Sequence, residues 1–172
     1  MEFRNNGKLL SVTEEDIEPD GSFIFPSGVT YIRASAFKRC RNLKKIDIPD
    51  SVKWIGCSAF EDCINLEEVI IPEGIDIIHA KTFMSCDKLT SVTIPKSVTD
   101  IYAHAFAYCF SLKEVNILGK IEHISSFAFS GCFRLQNVTI EQCDDNNIRL
   151  YTAGKDRLIP TIKNEGDVTN ES

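Results

Sequence analysis

The sequence predicts an α/β repeat solenoid, right-handed, with a parallel sheet on one side and short helical or 3₁₀ turns on the other. Three observations carry this. Phe37, Phe60, Phe83, Phe106 and Phe129 are each 23 residues apart. Cysteines keep the same step (Cys40, Cys63, Cys86, Cys109, Cys132), as do leucines (Leu43, Leu66, Leu89, Leu112, Leu135). A fixed period of this length, free of insertions, is the signature of stacked supersecondary units.

Residues 1–22 form an N-terminal cap ahead of the array. Within it, Thr13 is placed to cap a short turn whose first positions are acidic, Glu14, Glu15 and Asp16. Ile17 lies 23 residues before Cys40 and offers that column a hydrophobe. A half unit follows with Phe23, Phe25, Pro26, Val29, Ile32, Ala36 and Phe37.

The first full unit reads Leu43-x-x-Ile46-x-Ile48-Pro49-x-x-Val52-x-x-Ile55-x-x-x-Ala59-Phe60-x-x-Cys63. Alternation in Ile46-x-Ile48 marks a short strand, and the same columns hold Val69 and Ile71, Val92 and Ile94, Val115 and Ile117, and Val138 and Ile140. Proline recurs at 26, 49, 72 and 95, where its missing N–H ends the ladder, then gives way to Leu118 and Glu141. Ala-Phe-x-x-Cys fits one helical or 3₁₀ turn on the opposite wall. Six strands, from 23–25 to 138–140, are expected to form one continuous parallel sheet.

The pattern stops after residue 140: the next strand, Phe and Cys positions hold Asp144, Asn147, Thr152 and Lys155. Residues 141–162 read as a C-terminal cap in which Ile148, Leu150 and Tyr151 cover the last rung, and 163–172 as a flexible tail. One repeat cannot offset its own conformational entropy, so the solenoid at 23–140 depends on neighbour stacking and on covered ends.

The net charge of −6 is uneven: the flanks carry −4 and −3, leaving the array at +1. A near-neutral array lacks the basic footprint of nucleic-acid binding. No stretch approaches a membrane span, and no apolar leader segment stands at the N-terminus. The location expected is cytoplasmic, or translocated without a visible signal peptide; a trimmed N-terminus would instead allow a secreted or cell-surface protein.

These columns resemble the BspA-like leucine-rich repeats, a subclass marked by the Ile-x-Ile-Pro strand and the Ala-Phe-x-x-Cys turn, over residues 23–140. The chain departs from the general leucine-rich pattern at Gly28, Ser51, Gly74 and Ser97, where an asparagine ladder is common. The resemblance implies a non-catalytic scaffold for protein–protein interaction, in adhesion and host interaction or as a translocated effector. The family motif contains no catalytic residue and calls for no cofactor. The alternative is a structural spacer within a longer adhesin.

The five column cysteines form a line, which cannot surround a zinc ion. They are expected buried and reduced, with Cys57 as a small inward filler and Cys143 as an exposed thiol. His79, His104 and His123 occupy three columns and are expected at the surface without converging. Lys38, Arg39, Lys44 and Lys45 lie one period before Glu61, Asp62, Glu67 and Glu68, a charge zipper between adjacent units.

Partner-binding candidates lie in the variable columns. The strand face offers Lys45 and Glu68 in one column and Ile70, Thr93 and Asn116 in the other, with Ile70 the lone hydrophobe. Tyr31, Trp54 and Ile77 form an outward apolar column on the second wall. Tyr108, Phe110 and Phe133 cluster at the turn. Grouped exposed aromatics have the composition of a binding hot spot, the alternative being that a flanking segment folds over them.

Overall fold

The computed structural model describes residues 1–4, 6–143, 150–151, 156–157 and 161–162. In chain order the strands are β1 (Glu2–Arg4), β2 (Lys8–Ser11), β3 (Tyr31–Ile32), β4 (Lys45–Asp47), β5 (Trp54–Ile55), β6 (Glu68–Ile70), β7 (Ile77–Ile78), β8 (Ser91–Ile94), β9 (Asp100–Ile101), β10 (Glu114–Ile121), β11 (His123–Ile124) and β12 (Asn137–Cys143). Three short strands follow: β13 (Leu150–Tyr151), β14 (Asp156–Arg157) and β15 (Thr161–Ile162). The even-numbered strands β4 to β12 form one wall and the odd-numbered β3 to β11 a second; Ala-Phe-x-x-Cys supplies a third.

The parallel pairings within the array have a register of 23, as in Ile46↔Val69, Val92↔Val115 and Val115↔Val138, until β10 and β12 shift to 22 past Ile117, at Lys120↔Gln142 and Ile121↔Cys143. Like side chains therefore lie over like. The phenylalanine rings stack in file, with centroids 4.8 Å apart for Phe37–Phe60, 5.2 Å for Phe60–Phe83, 5.3 Å for Phe83–Phe106 and 5.4 Å for Phe106–Phe129. All five are fully buried.

Strand length follows the proline pattern. β4, β6 and β8 run for three or four residues and stop at or just before Pro49, Pro72 and Pro95. Leu118 and Glu141 replace proline in the next two units, and there β10 and β12 run on for eight and seven residues. An N–H restored at that position lets the ladder turn the corner. Gly119 permits the close approach: a Cβ there would lie 2.4 Å from the Lys96 carbonyl oxygen.

The third wall is the expected wall of short turns, bonded as a ladder and not wound as a helix. Alternate N–H groups close local turns, with Ala36 donating to Arg33 O (3.1 Å), Lys38 to Ser35 O (3.1 Å) and Cys40 to Phe37 O (3.0 Å). The intervening N–H groups of Ser35, Phe37 and Arg39 donate forward to the carbonyls of Cys57, Ala59 and Glu61, at 3.0, 2.7 and 2.8 Å. Left-handed residues make the alternation possible: Ser35, Ser58, Lys81 and His104 in one column, Arg39, Asp62, Ser85 and Tyr108 in another, all at positive φ. The wall is a hydrogen-bonded ladder of turns, and the array contains almost no helix.

Each column cysteine ties this wall to the rung before it. The thiols of Cys63, Cys86, Cys109 and Cys132 donate to the carbonyls of Phe37, Phe60, Phe83 and Phe106, at 3.1, 3.4, 3.2 and 3.0 Å. Serine fills a similar role where asparagine is missing: Ser51 Oγ donates to Val29 O (2.6 Å) and Ser97 Oγ to Ile75 O (2.7 Å).

The strand wall is not one continuous sheet. Phe23–Phe25 forms no strand, and β4–β6 is separate from β8–β10–β12–β15. The second wall divides at the same level, into β1–β2–β3–β5 and β7–β9–β11. Among the described residues, no strand pairing joins the rung of β5 and β6 to that of β7 and β8, apart from the turn ladder, where Phe60 N donates to Thr82 O (2.8 Å). Val69 and Ile71, beside this seam, are more exposed than their counterparts in later rungs.

At the N-terminus, the β1–β2 hairpin adds β2 to the second wall through Leu9↔Ile32. Residues Glu14–Asp16 form a 3₁₀ turn, with the Thr13 N–H donating to the Asp16 carboxylate at 2.8 Å. Ile17 is buried in the core. The expected cover from Ile148, Leu150 and Tyr151, the tail at 163–172 and the Cys143 thiol fall outside the described residues and side chains.

Cys57 is exposed rather than an inward filler, because its column flanks the left-handed turn instead of the core. Burial, with help from Glu14 and Asp16, pushes the Cys40 thiol up to about 12, and burial likewise raises Cys63, Cys86 and Cys109. We expect a thiol reagent at mildly alkaline pH to modify Cys57 in the native protein while sparing the five column cysteines, as read by peptide mapping. Replacing Cys109 with Val strands the Phe83 carbonyl and is expected to cost about 1–3 kcal/mol in denaturant titration, with Ser preserving more of the stability.

Candidate functional site

The strand wall presents its outward positions as two columns. Lys45 and Glu68 are adjacent in register and exposed. Beside them, Ile70 is 50 % exposed, Thr93 is exposed and Asn116 half-buried. Ile70 stands between two shallow recesses and lines both. One, of about 380 Å³, lies over the seam and includes Glu67, Glu68, Glu73 and Thr93; the other, of about 270 Å³, includes Lys45, Asp47 and Phe23.

The charge zipper forms in part. Lys38 pairs with Glu61 at 2.9 Å and Arg39 with Asp62 at 3.5 Å, both on the turn wall. On the strand wall, Lys45 instead reaches Asp20 (3.5 Å), and Glu67 reaches Lys88 (3.9 Å). Turn-wall side chains leave a fixed ladder in the direction of their neighbours. The strand-face side chains point into open solvent, where the N-terminal segment and the next rung compete for them.

On the second wall the structure joins more residues than the Tyr31–Trp54–Ile77 column. Tyr31 and Trp54 stack with centroids 6.1 Å apart and planes within 2°. Trp54 then meets His79 at 4.3 Å, His79 meets Tyr102 at 5.8 Å, and Tyr102 meets His123 at 6.3 Å. Lys8 Nζ lies 5.6 Å from the Tyr31 ring, completing the row with a cation. Two of the histidines thus belong to one ring file, each meeting Tyr102 and neither meeting the other. The file alternates between positions two residues apart on the strand, which share a face. The Tyr31 column on its own therefore leads to His123 but misses His79 and Tyr102, which the period-two rule links to it. Gly56 leaves Trp54's own rung without a side chain at the His79 position, and its backbone packs closely: a Cβ there would meet Ala34 N at 2.4 Å.

At the turn, Phe110 and Phe133 stack at 5.9 Å with planes 11° apart, and Tyr108 approaches Phe110 at 6.3 Å. Phe133 is 63 % exposed. It lines a recess of about 430 Å³ with Lys113 and Arg134. Asp87 lies in the same column; burial, reinforced by Asp62, raises its carboxyl above the ordinary value. Among the described residues no group of three or more metal-ligating side chains converges, and no helix is long and apolar enough to cross a membrane.

Burial lowers the His79 imidazole below its ordinary 6.5, against an opposing pull from Asp76. The imidazole is neutral at pH 7 and charges only as pH falls below that value. A depressed histidine contributes stability present above 6.5 and lost on acidification. Trp54 is the sole tryptophan, so its emission reports the contact. Acidification is expected to change that emission with a midpoint below 6.5, and His79→Leu to abolish the transition.

Comparison with known proteins places these surfaces in a family. The model of the BspA type leucine-rich repeat region matches residues 21–136 in six copies. A leucine-rich cell surface protein of Faecalibacterium prausnitzii is similar, with 31 % identity and a TM-score of 0.68, over 77 % of this chain and 34 % of that one. The leucine-rich repeat protein of T. pallidum aligns at 28 % identity and a TM-score of 0.66, over 72 % of this chain and 66 % of that one. The pneumococcal vaccine antigen PcpA, at 16 % identity and a TM-score of 0.65 over 87 % of this chain and 45 % of that one, shares the fold. The chain thus spans between about a third and two thirds of the length of these structures. No relative is detected among curated proteins. With its strand, turn and cysteine columns all in phase, the chain belongs to the BspA-type leucine-rich repeat family.

Proposed function

We propose that this chain is a non-catalytic module that binds a protein or peptide through its strand face. The observation that carries the reading is Ile70, half exposed between two recesses and flanked by Lys45, Glu68 and Thr93. A single hydrophobe within a polar rim is the composition of a small hot spot, where the apolar anchor supplies affinity and the rim excludes water. Asn116 extends the face toward β12. Trp54 with its neighbours, and Phe110 with Phe133, lie on other walls and are proposed for contacts separate from this partner. Leucine-rich repeat arrays generally bind proteins and are generally non-catalytic, which supports the same reading.

The similarity to a cell surface protein supports an adhesion or host-interaction role at the cell surface. The partial coverage of the similar structures favours a second reading, in which the array is one segment of a longer adhesin and acts as a spacer.

The test is affinity capture with the wild-type chain and with Ile70→Glu and Phe133→Glu variants, each verified as folded by circular dichroism. Binding through the strand face predicts that Ile70→Glu weakens capture of a specific partner by at least about tenfold, the effect of losing a central anchor. Phe133→Glu is expected to leave that partner bound. An unchanged profile for a folded Ile70→Glu protein refutes the assignment and leaves the spacer reading.

A further inference from the structure

We propose that the second wall is a self-association surface, on which a second copy of this chain docks face to face with its solenoid axis reversed. The argument rests on charges arranged about the ring file. Lys8, Arg33 and Lys53 flank its first three rungs, while Asp76, Asp100 and Glu122 flank the last three. All six are exposed or half-buried, and among the described residues none is ion-paired within the chain.

These charges are complementary to their own reversed image. A twofold axis lying in the contact plane, parallel to the strands and midway between the Trp54 and Ile77 rungs, exchanges the second-wall rungs in order. Lys53 then faces Asp76 of the second copy, in the same column and at the same lateral position. Arg33 comes opposite the rung of Asp100, and Lys8 opposite the rung of Glu122. Each contact occurs twice, as a closed isologous interface requires. Sliding one copy by a rung sets Lys53 against its own image, or Asp76 against its own, at the centre and leaves one end rung unopposed, so the pattern favours this register.

The centre of this arrangement is apolar. Trp54, 38 % exposed, meets Ile77 of the second copy, beside His79 and Gly56. His79 is neutral, and its Nε2 is buried without a hydrogen-bond partner. A central aromatic anchor ringed by charge pairs is the usual distribution of energy in a specific interface. The rungs stack at about 4.8 Å, so the contact strip spans only about 20–24 Å. That footprint is small, and the dimer expected is a weak, salt-sensitive one. This inference goes beyond the strand-face reading and does not depend on it.

The experiment is sedimentation of the full chain across a concentration series up to about 200 µM, suited to a weak interface. Wild type is expected to show a monomer–dimer equilibrium that weakens as salt rises from about 0.1 M to about 1 M, where screening shortens from about 10 Å to about 3 Å. Lys53→Asp and Asp76→Lys each place like charges in opposition and are expected to sediment as monomers. An equimolar mixture of the two variants restores dimers, because each chain then supplies what the other lacks. Ile70→Glu is expected to leave the dimer intact, so loss of a foreign partner and loss of self-association are read separately. A wild type that stays monomeric throughout, single variants that associate as wild type does, or a mixture no better than its components would each overturn the proposal.

Discussion

Phase is the constraint on which this molecule depends. A ladder with a register of 23 residues requires every unit to have one length, so that each carbonyl finds the N–H of the next rung. The ring stack, the thiol donations to the Phe carbonyls and the serine bonds to the preceding rung all follow from that register. None of these contacts is strong alone. Repeated in phase they add along the axis, which is how a solenoid reaches stability without a globular core.

The architecture was legible because repetition makes burial visible as columns. Val52, Ile55, Phe60 and Leu66 could be assigned inward positions from their counterparts one period away, and all are buried. The ends of the strands were legible from proline, since losing one N–H is a local event. The turn wall was less so. A spacing of one, three and four residues suits a helical turn, but left-handed residues such as Ser35, Lys81 and Tyr108 carry no sequence mark of that geometry. Glycine appears in those columns only at Gly131, with φ at +77°.

Surface readings were mixed for a similar reason. Trp54 and Ile70 stand out in a sequence because each is a hydrophobe in a variable column, and both are exposed. The roles of His79 and Tyr102 depended on contacts between neighbouring columns, which a period of 23 does not display. Lys45 could not be assigned to Asp20 from column arithmetic, because that carboxylate belongs to the N-terminal flank.

The break in both strand walls between β5/β6 and β7/β8 has a mechanical meaning. There, adjoining rungs are held by the turn ladder, the Trp54–His79 contact and the Phe60–Phe83 stack, without strand pairing. One edge of the stack is fastened by backbone bonds and the other two by side chains alone, among them the Glu67–Lys88 ion pair, so the stack would bend here more easily than where strands pair. Bending would widen the recess beneath Ile70 and tilt the two halves of the array like the covers of a book. That joint lies beside Ile70, the anchor proposed for a partner, so a partner seated there would bear on both halves of the array at once.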